Sequence, residues 1–458
     1  MWRIYVGDMD VVQRRLHTKY GPIVRIAPDE VSTAEPSAIP KIYRNQRPLT
    51  KTDFYPLWSG TDISKQPDTF TCIDERVHSN YRRTVNPVYT LSNILKSEDY
   101  ISNVSRLFVQ RLGEFADRNE SIDLGKWLQM YAFDVIGEIL FGSMFGFLKN
   151  SEDHGALIAS LDVLMPVLCI AAIGPWYMRP FVMCSAIIIP SAFKAAQAVD
   201  GIRKAAVEAA RKRKTDNEAG VEHRQDMLQQ LFDIVSEKGE KLNFTDKEVT
   251  LEAWVAMFAG SDTTAIAFRT TFYQLMKNPK ALAKAHAEID AVAATGSLSS
   301  PIKYSETTTK LPYICASIKE AMRLHPSVGL SIQRLAPVEG IELAGKLIPG
   351  GYRIGINPAV VQYDKTVFGD DADKFRPERW LVDPDAWKAM DKNMLIFGAG
   401  TRTCIGKNIS LVEIHTLVPE VLRRFNLKMA HDRPWKLSNR WFHKQSDVIV
   451  RVTRRESL

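Results

Sequence analysis

Along this chain, apolar and polar residues alternate with period two only in short stretches, and follow a helical period over most of the length. Residues 22–27 and 31–33 alternate around Pro28-Asp29-Glu30, which reads as a short hairpin near the start. From about Asn93 onward the pattern is helical for most of the next two hundred residues. One segment stands apart. Thr245 is followed three residues later by Glu248, a capping-box signature, and the apolar pattern then runs past Trp254, Met257 and Phe258 to Met276 before Asn278-Pro279 ends it. At about 1.5 Å per residue this helix would be roughly 45–50 Å long and would cross the whole molecule as a central beam. Short strand patterns return at 341–343, 347–348 and 352–356, punctuated by Gly345 and Gly350-Gly351. The class read from these periods is mainly α with small β-sheets.

Two uncharged stretches, Val163 to Met178 and Phe181 to Phe193, are interrupted by Pro166, Gly174, Pro175 and Pro190 and fall short of a membrane span. They read either as a buried helix pair or as a surface that dips into a membrane. The first twenty residues carry Arg3, Asp8, Asp10, Arg14 and Arg15, so neither a signal peptide nor a membrane span is expected there. The polar run Thr215 to Arg224 is linker-like, and Arg211 to Lys214 reads as a solvated helix end.

Composition narrows the function classes. The 458 residues are 45% hydrophobic and 25% charged, which excludes a disordered, collagenous or disulfide-stapled chain. A net charge of +7 without tight basic runs argues against nucleic-acid binding and leaves room for a face that docks an acidic protein. The five cysteines are an odd number with no CxxC pair, so zinc ribbons and disulfide frameworks are not expected. A reducing compartment suits them, and there an isolated thiol can do chemistry.

One cysteine is placed for that. Phe397-Gly398-Ala399-Gly400-Thr401-Arg402-Thr403-Cys404-Ile405-Gly406 sets Cys404 in a glycine-punctuated loop immediately before a helical pattern. Backbone N–H groups of such a loop and the positive end of the helix both favour a thiolate. The pattern FxxGxRxCxG, carried by Phe397, Gly400, Arg402, Cys404 and Gly406, resembles the haem-binding loop of the cytochrome P-450 family of haem-thiolate monooxygenases. The resemblance implies that Cys404 is the axial ligand to haem iron, that Gly406 allows close approach to the porphyrin, that Phe397 packs beside the sulfur and that Arg402 reaches a propionate.

Three further motifs follow the family's order. Ala259-Gly260-Ser261-Asp262-Thr263-Thr264, in the middle of the long helix, resembles the oxygen-activation motif. It implies a local widening of the helix over the haem, with Thr263 donating a hydrogen bond and Asp262 relaying protons. Glu320 and Arg323, spaced to pair on one helix, resemble two members of the family's structural triad. Arg379 in Phe375-Arg376-Pro377-Glu378-Arg379-Trp380 resembles the third, with Trp380 where the family usually has Phe. His78, Arg82 and Arg334 match positions that contact haem propionates. Pro419, inside the helix after the cysteine, departs from the pattern and should kink that helix.

The resemblance covers nearly the whole chain and is nearest to filamentous-fungal members, which usually begin with a membrane helix not found here. It implies the P-450 fold as a single catalytic domain over 1–458, with the long helix over a haem b. It further implies a monooxygenase taking electrons from NADPH through a flavoprotein reductase and inserting one atom of O2 into a lipophilic small molecule, in secondary metabolism. The cytosolic face of the endoplasmic reticulum is the implied location, with residues 163–193 as a membrane-dipping entrance and Lys407, Arg423 and Arg424 as a basic docking face. Substrate-facing residues are expected around Tyr55 to Trp58, at Met257 and Phe258, at Val328 to Ile332 and at Trp441-Phe442. The alternative reading, a haem-thiolate isomerase or dehydratase that acts on a peroxide without outside electrons, is opposed by the intact Asp262-Thr263 pair.

Overall fold

The computed structural model describes residues 2–59, 62–221 and 223–456. Helices α1 (Trp2–Val6) and α2 (Met9–Tyr20) lead into the expected hairpin, β1 (Ile23–Ala27) paired antiparallel with β2 (Glu30–Thr33). Next come α3 (Glu75–Val85), α4 (Glu98–Asp117), β3 (Ser121–Asp123) and α5 (Leu124–Ile136). The middle of the chain forms α6 (Leu157–Ile173), α7 (Arg179–Ile188), α8 (Pro190–Glu218), the long α9 (Asp246–Lys277) and α10 (Pro312–Leu324). Strands β4 (Arg334–Leu335), β5 (Ile341–Leu343), β6 (Lys346–Ile348) and β7 (Arg353–Gly355) precede α11 (Lys407–Arg424). The chain closes with β8 (Phe425–Met429), β9 (Lys436–Arg440), β10 (Phe442–Ser446) and β11 (Ile449–Arg454). Strand order is β1-β2-β7-β4 in the largest sheet and β3-β11-β8 in the next, and β9-β10 and β5-β6 are hairpins. The molecule is mainly α with small sheets at its edges, as its periodicity indicates.

The capping box starts α9 as read: the Glu248 carboxylate accepts the Thr245 backbone N–H at 2.8 Å, and the Thr245 hydroxyl accepts from the Lys247 N–H at 3.3 Å. Its 32 residues make it about 48 Å long. It lies against α5 along much of its length, and the ring of Phe268 meets that of Tyr131 edge-on at 5.6 Å within a core that includes Phe108, Phe133 and Phe272. The expected widening at Gly260 is absent: α9 continues as an ordinary α-helix through Ala259–Thr264. Gly260 has a packing reason instead, because a Cβ there would lie 2.8 Å from Cδ1 of Ile136 on α5. The wide helical turn of this region is next door, at Gly137–Phe141, where α5 ends.

Other expectations are corrected by tertiary contacts. Thr215 to Glu218 form the last turn of α8, so only residues after them are linker. Arg213 is no solvated helix end but is buried, with both guanidinium nitrogens on the Asp226 carboxylate at 2.8 Å. Pro419 lies inside α11, as expected, and the helix continues to Arg424. The uncharged stretches form α6, α7 and the start of α8. The segment His154–Ile173 is longer than expected and is long and apolar enough to cross a membrane, though half of it is buried in the protein. Its neighbours are not: Trp176 is 73%, Phe181 76% and Ile188 81% exposed. The stretch is therefore not a helix pair buried throughout.

The residues that lead to the cysteine loop are held by a buried ionic knot. Arg323 on α10 forks onto both oxygens of Glu320 at 2.8 Å, and Arg379 Nε reaches Glu320 Oε1 at 3.2 Å. Trp380, in the place of the usual Phe, adds an indole N–H to Glu320 Oε2 at 2.9 Å. The remaining arginine donors bond the carbonyls of Phe368, Asp371, Gln362 and Ala372, so the knot pins the irregular segment 362–380 to α10. Removing the carboxylate strands the buried Arg323 guanidinium and leaves Arg379 with Asp371 alone, at 2.9 Å. Glu320→Ala is therefore expected to lower stability by about 3–5 kcal/mol, read as a large fall in the thermal unfolding midpoint. A fall no greater than that of a surface substitution would refute the assignment.

Candidate active site

Cys404 sits in a loop whose shape the backbone dictates. Its N–H donates to the Phe397 carbonyl at 2.8 Å, and Gly398 and Gly400 adopt φ of +68° and +69°, a region that side chains disfavour. At Gly400 space forbids a side chain as well, since a Cβ would lie 2.6 Å from the Tyr43 carbonyl oxygen. Gly400 thus fits the loop to the 39–44 segment. At Gly406 a Cβ would sit 3.9 Å from the Cys404 Sγ, so its absence leaves the approach to the sulfur clear. Burial pushes the Cys404 thiol up. The N–H groups of Gly406 and Lys407 at the start of α11, together with the charge of Arg82, pull the other way. Cys404 nonetheless keeps exposed surface while protein surrounds it, so it faces open interior space. On α9, which is buried along most of its length, Ala259 is exposed and Val255, Ala256, Phe258, Gly260 and Thr263 are half-buried.

A cluster of cations stands near this loop. Arg82 on α3 donates to the Thr403 carbonyl at 2.6 Å. Arg402 is committed to protein partners, bonding Glu75 at 2.6 and 3.1 Å and the Cys72 carbonyl at 2.8 Å. His78, one turn before Arg82, is buried, and its Nε2 has no hydrogen-bond partner. Burial and the charges of Arg402, Lys51 and Arg82 pull its pKa down to about 3, so the imidazole is neutral. Arg334 on β4 is buried and bonds Tyr55 Oη at 3.2 Å and the Gln333 carbonyl at 2.8 Å.

Lys51 completes the cluster and escaped the sequence reading, because Thr50-Lys51-Thr52 carries no local signal. Only the β-bridge between Lys51 and Arg334 reveals it. Its buried ammonium donates to the Phe70 carbonyl at 2.5 Å and lies over the Tyr55 ring at 4.4 Å. Burial, with Arg334 and Arg402 close by, pulls its pKa well below the ordinary range. Among the described residues, no carboxylate lies within ion-pair distance of Lys51, Arg82 or Arg334. Buried cations so placed are costly until an anion joins them. The partnerless His78 nitrogen and these three cations fit a ligand that brings two carboxylates, as the haem propionates would.

On α9, Thr263 bonds back to the Ala259 carbonyl at 2.9 Å, and Ser327 donates to the Thr263 carbonyl at 2.8 Å. Asp262 points the other way and is buried, accepting a short hydrogen bond from Gln129 Nε2 of α5, a residue with no signal in its own segment. The four expected substrate segments converge in part, with Met257 in the main core and Ile332 packed against the cluster under the first sheet instead. Tyr55, Trp58, Phe258, Val328, Leu330, Trp441 and Phe442 gather with Met165 and Cys169 of α6 in one apolar cluster. The expected basic face does not assemble. Lys407 is exposed at the start of α11, whereas Arg423 and Arg424 lie about 24 Å away at its far end and bond Ser299, Ser300 and Glu420.

An interior-facing cysteine ahead of a helix, an uncovered stretch of the central helix and a cluster of cations fit the site that the resemblance implies. Comparison with known proteins agrees: the family model for cytochrome P-450 matches residues 2–451. The chain belongs to that family, and it is an oxidoreductase of the P-450 monooxygenase type. It is 44% identical to the cytochrome P-450 monooxygenase gsfF of Penicillium aethiopicum over 99% of this chain and 90% of that protein. It is 45% identical to ACRTS1 of Alternaria alternata over 82% of this chain and 99% of that one. It is 35% identical to cicH of Emericella nidulans over 99% and 90% respectively.

Lys51→Met is expected to loosen haem by about tenfold or more, since truncating one partner of a buried charge pair costs at least about 2 kcal/mol. Transfer of haem from the variant to apomyoglobin measures the rate. A rate equal to that of the unaltered protein would remove Lys51 from the site.

Proposed function

We propose that Cys404 ligates the iron of haem b and that the enzyme inserts one atom of O2 into a lipophilic small molecule in fungal secondary metabolism. The observation that carries this reading is the Cys404 loop, whose cysteine keeps exposed surface although protein surrounds it. When bound, haem supplies the activation of O2 and the transfer of one of its atoms to substrate. Lys51, His78, Arg82 and Arg334 would hold its propionates, while Arg402, through Glu75, ties α3 to the cysteine loop. Phe397 packs on the loop under the Lys407 ammonium, which lies 5.8 Å from its ring centroid.

The protein's own part in the chemistry is to manage protons and water. The Thr263 hydroxyl, anchored on Ala259, presents its oxygen to the interior, where it can pass a proton onward. Asp262, one residue away and turned outward, can replenish it. The apolar cluster around Tyr55, Trp58, Leu330 and Trp441 excludes water and favours a hydrophobic substrate. Electrons would come from NADPH through a flavoprotein reductase docking near Lys407. The exposed surface at Trp176, Phe181 and Ile188 would rest on the cytosolic side of the endoplasmic reticulum membrane, with all of 1–458 acting as one catalytic domain.

The reduced protein with carbon monoxide should show the red-shifted band of thiolate-bound haem, and Cys404→Ser should lose it. An unshifted band in the unaltered, haem-loaded protein would end the haem-thiolate reading. Thr263→Ala should keep consuming NADPH while product per NADPH falls by about tenfold or more, with peroxide released instead. Unchanged coupling would take Thr263 out of proton delivery.

A further inference from the structure

Asp262 belongs to a polar chain that reaches the surface. Lys444 of β10 sets its ammonium between two carboxylates, in a short ion pair with Asp162 of α6 and 3.6 Å from Asp262 Oδ1. Exposure of the side chains falls along this line, from 45% at Asp162 to 21% at Lys444 and 4% at Asp262. Gln129 holds the inner end in register. Its Oε1 accepts from Lys444 Nζ at 3.2 Å and from Arg269 Nη2 at 2.8 Å, so its amide can turn only the Nε2 donor to Asp262. Arg269 is itself locked, with Nε and Nη2 on the Gly125 carbonyl at 2.9 and 2.7 Å. Two elements far apart in sequence, α5 and β10, therefore meet on one oxygen of one side chain of α9, and α6 joins them through Lys444.

We propose that Asp162 and Lys444 form the proton inlet of this enzyme, delivering protons from solvent to Asp262, with Gln129 and Arg269 fixing the geometry. The inference rests on the reading that Asp262 and Thr263 serve proton delivery. The step balances in charge and protons. The Lys444 ammonium gives a proton to the Asp262 carboxylate, leaving an amine and a carboxylic acid. The amine takes a proton from Asp162 in its acid form, which is regenerated from bulk water. Lys444 and Asp162 act through Asp262 and touch neither substrate nor haem. The charged groups facing Lys444 are Asp162 from α6 and Asp262 from α9; Arg269, also from α9, approaches through Gln129.

The test compares Asp162→Asn, Lys444→Met, Lys444→Arg and Asp262→Asn in the haem-loaded enzyme with its reductase. Asp162→Asn and Lys444→Met should each lower product per NADPH by about tenfold and raise the solvent deuterium isotope effect on turnover, and Lys444→Arg should restore part of the coupling. The carbon-monoxide spectrum should stay that of the unaltered protein, which separates proton supply from damage to the haem pocket. Independently of activity, the thermal midpoints of Lys444→Met, Asp262→Asn and the double variant should be non-additive, because the two groups are in contact. Additive midpoints, or full coupling in both Asp162→Asn and Lys444→Met while Asp262→Asn is impaired, would overturn the inlet and leave the acid-alcohol reading standing. Full coupling in Asp262→Asn itself would overturn the reading on which the inlet rests.

Discussion

A helix buried along most of its length must find a partner for each polar side chain it carries, because an unmet polar group in the interior is costly. Helix α9 buries Glu248, Glu252, Asp262, Arg269 and Thr270, and the surrounding protein is arranged to answer them. Ser64 bonds Glu248 and the Tyr89 hydroxyl reaches Glu252 at 2.7 Å, while burial pushes the Glu252 carboxyl up to about 7. Gln129 meets Asp262, the Gly125 carbonyl meets Arg269, and Gln445 meets Thr270 at 2.7 Å. Through these bonds the beam positions α5, the segment after α3 and the C-terminal hairpin. The exception is the stretch Ala259 to Thr263, where the helix gives up cover on one side and chemistry becomes possible.

The second constraint is electrostatic. Lys51 and Arg334 are buried and Arg82 half-buried, all without carboxylate partners among the described residues, and Arg402 is held by Glu75. A fold does not gather such charges for its own stability. Their cost makes sense as preorganisation: with the cations already in place, a dianionic ligand is bound and oriented without rearrangement. The knot of Glu320, Arg323, Arg379 and Trp380 differs in kind, because with Asp371 on Arg379 its charges are balanced and its work is to hold an irregular segment still.

Much of this was legible from residue types at fixed spacing. The Phe397 to Gly406 loop, the capping box at Thr245 and Glu248, and the pairing of Glu320 with Arg323 are local patterns, and the structure brings each together as read. Arg379 needed the resemblance, since nothing near it names its partner. Lys51, Gln129, Asp162 and Lys444 were not legible at all. Each is an ordinary polar residue in its own segment and acquires meaning only across separations such as that of Gln129 and Lys444. Gly260 misled for the opposite reason: a helical glycine suggested distortion of its own helix, and the cause lay in Ile136 on a neighbouring one.

The sequence by itself determined what depends on neighbours along the chain: where helices start and stop, the mainly α class, and the cysteine loop whose pattern carries the family resemblance. Tertiary structure alone decided which charges are buried together, that Arg213 is an internal ion pair and that Arg423 and Arg424 lie far from Lys407. It also decided that Asp262 looks outward to Lys444. Local propensities and capping act within a few residues and leave a periodic trace, whereas the pairing of two side chains hundreds of positions apart is set by packing and leaves none.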